Sequence, residues 1–542
     1  MKTCRSLISF IIILNALLNT LPVIGQDRET IRFSNRIEEI AREYYRINDY
    51  NRALEGYLIL DSIHPGNIMY NYRIGICYLH SNRKSNAYPY LEFVYNQEDP
   101  PQNILFELAR AYHLGFEFEK AIISYESFKK QILYQSIDLK AGNIELSELD
   151  RYIQMCRNGQ RLIRNPIQNT SVINLGSEIN SEYDDFGPLI NKDENLLIFT
   201  SKRKATENTK SDPLTGQFYE SIFYSNKSGE NWISAQSIGP SINLGNIHTS
   251  AVGLNPQGTQ LFIYQGDNSR FSARIAGDLY LSMNNKGNWG KPDAIEIINS
   301  KYWESSATIN EEETFLVFAS DRAGGFGGID LYFSRKNING DWAEPENLGA
   351  YINTKFDEDG PFIHPAGNKL YFSSKGHNTM GGFDIFYSEF LKDKNRWTRP
   401  ENMGYPVNSP DDDIFFVWSA DGERAYFSSE RADTYGNTDI YMLIRNDKEN
   451  TFVNVSGIIR DKIDQSSVFA EILIKDLLSN NLIGIFDSDK NTGSFTISLK
   501  SGRKYSLTIK ANGYQDKIMQ FSITNQPEPS ELIKNVTLTR KK

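Results

Sequence analysis

The sequence predicts a multidomain α + all-β fold: an α-helical solenoid, then a five-bladed β-propeller with six blades as the fallback count, then a C-terminal β-sandwich. Three observations carry this. A helical unit recurs every 34 residues near the N-terminus, a strand-rich unit of about 55 residues recurs five times in the middle, and residues 452–542 alternate apolar and polar positions in short runs.

The chain has 542 residues, 39% hydrophobic and 23% charged, enough for several cores. Residues 1–25 stand apart. Lys2 and Arg5 precede the apolar run Leu7–Leu18, and Gly25 supplies a small residue for cleavage, the pattern of a secretory signal peptide. Cys4 lies before that run, so it is not placed as a lipoprotein cysteine. No later stretch nears the roughly 18 apolar residues a spanning helix needs, so the mature chain is expected to be exported and peripheral to a membrane at most. Losing Lys2 and Arg5 takes the formal charge from −10 to −12, which excludes nucleic acid and anionic lipid as expected partners. Cys77 and Cys156 could pair in an oxidising compartment, but both read as core cysteines of helices; two cysteines make no cysteine-based zinc site.

In residues 27–165, Ala41, Gly75 and Ala109 are 34 residues apart, each followed three residues on by Tyr44, Tyr78 or Tyr112. Ala53, Ala87 and Ala121, then Tyr57, Leu91 and Tyr125, keep the same phase. Small residues where helices cross, with aromatics filling the flanks, form the tetratricopeptide pattern. Pro65 and Pro100-Pro101 fall near unit ends, and a further helix over 145–162 is expected to cap the array. Such solenoids offer a concave surface to protein partners.

In residues 171–445, Asp-Leu-Tyr (330–332), Trp342, Pro345, Asn-Leu-Gly (347–349) and Asn353 recur as Asp-Ile-Phe (384–386), Trp397, Pro400, Asn-Met-Gly (402–404) and Asn408. The asparagine recurs as Asn180, Asn243, Asn299, Asn353 and Asn408, giving five phased copies. Four short strands per copy, punctuated by Gly, Pro, Asn and Asp, read as propeller blades. Only four copies carry the tryptophan-marked outer strand after them, and Ser171-Val-Ile-Asn-Leu-Gly176 supplies the fifth from the N-terminal side, which would close the ring.

The loops on one face of this array are acidic at Asp184, Asp185, Glu304, Asp357, Asp359 and Asp412, and cationic at Arg203, Arg322, Lys375 and Arg431. These are the candidate binding residues of the face, with Trp303 beside Tyr302 as its one aromatic cluster. Because acid and base repeat in nearly every blade, the favoured reading is a structural ring of ion pairs; a catalytic group would be unique. His248, His364 and His377 are the only histidines of residues 171–445 and no serine sits in a nucleophile elbow, so no enzyme is expected, and no catalytic, cofactor or metal residue is assigned. The run Gly324-Gly325-Phe326-Gly327-Gly328 opens no helix and is read as a tight loop needing positive φ rather than a phosphate cradle.

In residues 452–542, short alternating strands suit a β-sandwich. Asp487-Ser-Asp489-Lys-Asn491-Thr-Gly493 has calcium-loop spacing but places Ser498 where the bidentate glutamate belongs, so it is read as a hairpin turn.

Taken together, Ala41/Gly75/Ala109 resemble tetratricopeptide repeats, Leu370-Tyr-Phe-Ser-Ser374 with Gly382-Phe-Asp-Ile-Phe386 resemble WD40-like repeats of the TolB type, and Val455-Ser-Gly457, Gly493-Ser-Phe495 and Ala511-Asn-Gly-Tyr514 resemble the carboxypeptidase regulatory-like domain. That order is similar to periplasmic OmpA-family, PorE-like modular proteins. The resemblance implies a scaffold at the periplasmic face of the outer membrane, serving type IX secretion or gliding. It stops short of the OmpA-like domain, so direct peptidoglycan binding is not expected. A glycan- or peptide-binding propeller for envelope sensing is the alternative.

Overall fold

The computed structural model describes residues 23–135, 145–167, 170–212, 216–266, 277–365, 367–445, 452–478, 481–523 and 531–541. The expected leader falls almost wholly outside them. Among the described residues the chain builds seven α-helices followed by an all-β region, in two compact units, Met1–Leu146 and Ser147–Lys542. No described helix is long and apolar enough to cross a membrane.

The first unit holds α1 (Val23–Arg46), α2 (Tyr50–Ile63), α3 (Ile68–Leu79), α4 (Ala87–Tyr95), α5 (Ile104–Leu114) and α6 (Phe118–Gln135). Each helix packs on the next. Asp49 and Asn67 cap α2 and α3 by accepting from the backbone N–H of Arg52 and Tyr70. The 34-residue phase of small residues marks close crossings. A Cβ on Gly56 would lie 2.7 Å from the Ala41 Cβ, and one on Gly75 would lie 2.5 Å from the Leu91 side chain. Ala41, Ala53, Ala87, Ala109 and Ala121 are fully buried, with Tyr57, Leu91 and Tyr125 packed among them. Cys77 is buried and free, as is Cys156 in the second unit.

The second unit opens with α7 (Leu146–Arg164), the helix the sequence assigns to the helical array as its cap. It groups with the β region because its polar side chains find partners there. Arg151 donates to the Lys375 carbonyl at 2.7 Å and lies over the Phe356 ring, Asn158 donates to the Thr379 carbonyl at 2.8 Å, and Arg164 pairs with Glu471 and Asp487.

Five antiparallel sheets follow. The first has β2 (Asp185–Ile190), β3 (Leu196–Ser201) and β4 (Ser221–Ser228), with β5 (Asn231–Trp232) and β6 (Gln236–Ser237) as a split outer strand. The second has β7 (Thr249–Leu254), β8 (Gln260–Gly266), β9 (Gly277–Asn285), β10 (Asn288–Trp289) and β11 (Asp293–Ala294). The third has β12 (Glu304–Ile309), β13 (Phe315–Ser320), β14 (Asp330–Arg335) and β15 (Glu346–Asn347). The fourth has β16 (Glu358–Ile363), β17 (Lys369–Ser374), β18 (Asp384–Leu391), β19 (Arg396–Trp397) and β20 (Glu401–Asn402). The fifth has β21 (Asp413–Trp418), β22 (Arg424–Ser429) and β23 (Asp439–Arg445), and its outer strand is β1 (Thr170–Asn174), from the other end of the array.

The first strands pack in cyclic order, β2 on β7, β7 on β12, β12 on β16, β16 on β21 and β21 back on β2. Each sheet is thus covered on both faces by its neighbours. That is why the second strands, such as Leu197-Ile-Phe199 and Leu370-Tyr-Phe372, are apolar runs rather than alternations. The seam between the fifth and first sheets is tied by β1 along β23, by the Gly187 N–H donating to Ser428 Oγ at 2.9 Å, and by Arg424 on Glu194 at 2.6 Å. The five repeated asparagines have one job. Each side chain accepts from the N–H and donates to the carbonyl of one third-strand residue: Ile440 for Asn180, Ile222 for Asn243, Leu279 for Asn299, Leu331 for Asn353, Ile385 for Asn408. An amide is the one side-chain group that can reproduce a strand's paired bonds in this way.

The C-terminal part has two sheets around one core. One is β27 (Ser494–Lys500), β24 (Phe452–Asp461) and the short parallel partners β30 (Glu531–Ile533) and β31 (Val536–Leu538); the other is β26 (Leu482–Asp487), β25 (Glu471–Asp476), β28 (Lys504–Lys510) and β29 (Lys517–Ser522). Val455, Ile497, Ile472 and Leu507 meet between them. The Asp487–Gly493 turn is not the expected hairpin. It joins β26 in one sheet to β27 in the other, and Asp489 accepts from the Asn491 and Thr492 backbone N–H groups to pin the crossing. Gly493 sits at φ +67, with the Ile459 carbonyl where a Cβ would fall.

Candidate functional site: the rim of the ring

The rim is built where first strands begin and second strands end. In four sheets the first strand starts with a carboxylate, Asp185, Glu304, Glu358 or Asp413, facing the serine that ends the second strand: Ser201, Ser320, Ser374 or Ser429. A chain that turns there brings the residue two positions on back over the same carboxylate. Hence Arg203 pairs with Asp185 at 2.6 Å, Arg322 with Glu304 at 3.0 Å and Arg431 with Asp413 at 3.1 Å. Each guanidinium also donates to a carbonyl of the preceding loop, that of Ile179, Ile298 or Val407. All four carboxylates have no exposure. Burial pushes Asp185 and Asp413 up while the guanidinium beside each pulls it down. Asp185, Glu304 and Asp413 are bound to these arginines and are not open to an external ligand.

The other predicted acids join neighbouring sheets. Asp184 accepts from Lys202 at 3.0 Å and from Asn437, Asp357 from Lys375 at 3.0 Å and from the Ile329 N–H, and Asp412 from the Phe383 N–H at 2.7 Å. Asp359 points the other way, held by the Ser305 and Ser306 hydroxyls and the Gly360 N–H. Trp303 is about one third exposed and edge-on to Tyr264. In the glycine run only Gly324 has positive φ; Gly325, Gly327 and Gly328 are required because a Cβ would strike Asp330, the Phe356 carbonyl or Asp357. That corrects the tight-loop expectation: close approach to the neighbouring sheet at Gly327 and Gly328, and to Asp330 of its own sheet at Gly325, fixes three of the four rather than backbone conformation.

Two sheets break the pattern. In the fourth, Gly376 replaces the arginine, and His377 Nε2 donates to the Ile352 carbonyl at 2.9 Å in its stead. Glu358 is therefore buried with hydroxyl and backbone donors but no paired cation among the described residues, and burial pushes it up to about 7. In the second, Thr249 stands in the acid's place, its buried hydroxyl without a hydrogen-bond partner among the described residues. Beside it His248 lies between two carboxylates, Nδ1 3.6 Å from Glu220 and Nε2 3.7 Å from Asp212. Ser250 donates to Glu220 at 2.7 Å, and Tyr219 lies edge-on to the imidazole. Burial pulls His248 down, but Glu220 and Asp212 more than offset it, so the imidazole sits above its usual value. Burial likewise pushes Glu220 up, and His248, Ser250 and Lys202 bring it net below the usual carboxylate. This cluster can hold a proton or a cationic group between acids. In the sequence His248 is one scattered histidine; the signal for it is the missing acid and serine at Thr249 and Gln265. Among the described residues no group of three or more His, Cys, Asp or Glu is placed to hold a metal ion.

In the helical unit Ala41, Gly75 and Ala109 form crossings, Tyr78 and Tyr112 are buried, and Tyr44 is half-buried under Arg52. The signature residues therefore belong to the framework of the array.

No protein-family model matches the sequence, and no curated protein matches it. Among solved structures, a protein of Agrobacterium tumefaciens described as TolB is 14% identical, covering 61% of this chain and 97% of its own, with a TM-score of 0.30. A Bombyx mori GH32 β-fructofuranosidase is 11% identical over 70% of this chain and 94% of its own, TM-score 0.37. A thermostable family-43 glycoside hydrolase is 11% identical over 48% and 89%, TM-score 0.31.

Proposed function

We propose that the chain is a non-enzymatic scaffold of the bacterial envelope, exported to the periplasm or the periplasmic face of the outer membrane. In this reading the helices are a tetratricopeptide array, the ring is a five-bladed propeller of the TolB type, and the C-terminal sheets are a carboxypeptidase regulatory-like sandwich. Protein partners, with secretion or gliding components the first candidates, dock on the array or the ring. The observation that carries it is that the rim's acids and arginines repeat from sheet to sheet and are consumed in holding the ring, as a framework requires. The test is an affinity capture of the tagged mature chain from crosslinked envelopes beside a variant lacking residues 27–146. Outer-membrane or secretion proteins recovered by the first and lost from the second support the scaffold. Recovery of wall or glycan fragments by both overturns it.

One observation favours a second reading, a glycan- or peptide-binding face: the second sheet's departure, which sets His248, Glu220 and the exposed Trp303 on one stretch of rim. Paired His248→Ala and Trp303→Ala variants that abolish retention on a glycan array, while leaving protein capture unchanged, would select it.

A further inference from the structure

We propose that the cleft between the fifth sheet and the C-terminal sandwich binds the carboxylate-bearing end of an extended peptide whose last side chain is apolar. The inference does not rest on the scaffold reading. The cleft measures about 450 Å³, within the range of ligand sites, which favour interfaces between domains. Its walls are set by the same helix: α7 bonds the fourth sheet through Asn158 and the sandwich through Arg164. One wall carries Ile167, Val172 and Tyr405, the other Leu482, Phe486 and Tyr505. Leu478, at its lip, is 69% exposed.

Three features select the occupant. The first is charge. Lys500, the last residue of edge strand β27, is half-buried in this lining and has no acidic partner among the described residues, whereas Arg503 beside it already pairs with Asp476 at 3.3 Å. Burial and Arg503 together pull the Lys500 ammonium below its usual value, so an anion arriving there would restore it. On the other wall Asp433, which accepts from Tyr441, would repel a carboxylate, so the anion's place is at the sandwich end. The second is backbone. β1 ends its sheet, and since the Leu175 N–H is directed at the Ile440 carbonyl, alternation turns the N–H and C=O of Val172 to the open side. An extended peptide can add there as a further strand. The third is the apolar lining, which suits a bulky final side chain and gives a hydrophilic anion nothing.

The test is fluorescence anisotropy of the full mature chain with labelled pentapeptides ending in Ala, Val, Leu or Phe, each as free acid and as C-terminal amide, with decanoate as a competitor. The expected result is saturable binding of the Leu or Phe acid that falls about tenfold or more on amidation, and equally for Lys500→Gln, because a charge-assisted bond is lost. Val172→Pro, whose missing N–H is not used by β23, should keep the melting temperature and lose the peptide. Acid and amide binding alike, an unaffected Lys500→Gln, or no peptide binding by a chain that melts cooperatively would each overturn the proposal. Binding of decanoate in place of every peptide would overturn it too.

Discussion

A buried carboxylate at the head of a strand is tolerable only with a full set of donors, and the ring solves this with a hydroxyl, a backbone N–H and a guanidinium in three of five sheets. Arg431→Ala should therefore cost about 3–5 kcal/mol, because it strands the fully buried Asp413 without its cation; urea unfolding of the variant measures it. Glu358 predicts the opposite. Its folded pKa of about 7 lies above the ordinary glutamate value of 4.5, so the favourable protonated state is present in full below about 4.5 and is lost as pH rises through about 7. Glu358→Gln should then leave stability little changed at pH 5 and raise it at pH 8, by on the order of 2–3 kcal/mol. A melting difference that is flat between those pH values would rule this out. The acids and arginines were visible in the sequence as a repeat, and repetition pointed to a framework. What the sequence could not give was the pairing: Arg203 meets Asp185 only because β2 and β3 are in register, and Gly376 reads as an ordinary loop glycine until Glu358 is seen beneath it.

Among the elements, the helices were legible because crossing positions must be small, and Gly75 shows how tightly. Gly75→Ala places a Cβ 2.5 Å from Leu91, so a loss of about 1–3 kcal/mol is expected, with Leu91→Ala recovering part of it in the double variant. Non-additive melting temperatures are the readout. β1 was legible as a borrowed outer strand because it repeats the Asn-Leu-Gly ending without the tryptophan. Its alternation predicts that Ile173→Pro, which removes a bond to β23, lowers the melting temperature, while Val172→Pro, one residue away on the open side, does not. Equal effects of the two would mean that β1 is not a ladder strand. The turn after β26 is not legible in the sequence for a physical reason: local spacing describes how a chain reverses, and says nothing about which sheet receives it.

Across the whole molecule, the division falls before α7 rather than after it, and sequence pattern had no way to show this, since an amphipathic helix next to a helical array looks like its last member. The partners of α7 decide the matter. Arg151 and Asn158 satisfy carbonyls of the fourth sheet's loops, and Arg164 pairs with acids of β25 and β26, so the helix carries bonds to both parts of the β unit. Every strand of the ring, including the closing β1, also lies after residue 146. A fragment of residues 147–542 should therefore fold alone and melt close to the β unit of the full chain. A fragment of residues 166–542 keeps all the strands but leaves the Lys375 and Thr379 carbonyls and the Glu471 carboxylate to water. It should melt a few degrees lower, on the scale of about 1 °C for each kcal/mol lost in a unit of this size, and its sandwich should separate from the ring as an earlier transition in calorimetry. If the shorter fragment melts like the longer one in a single transition, α7 is not the brace between ring and sandwich.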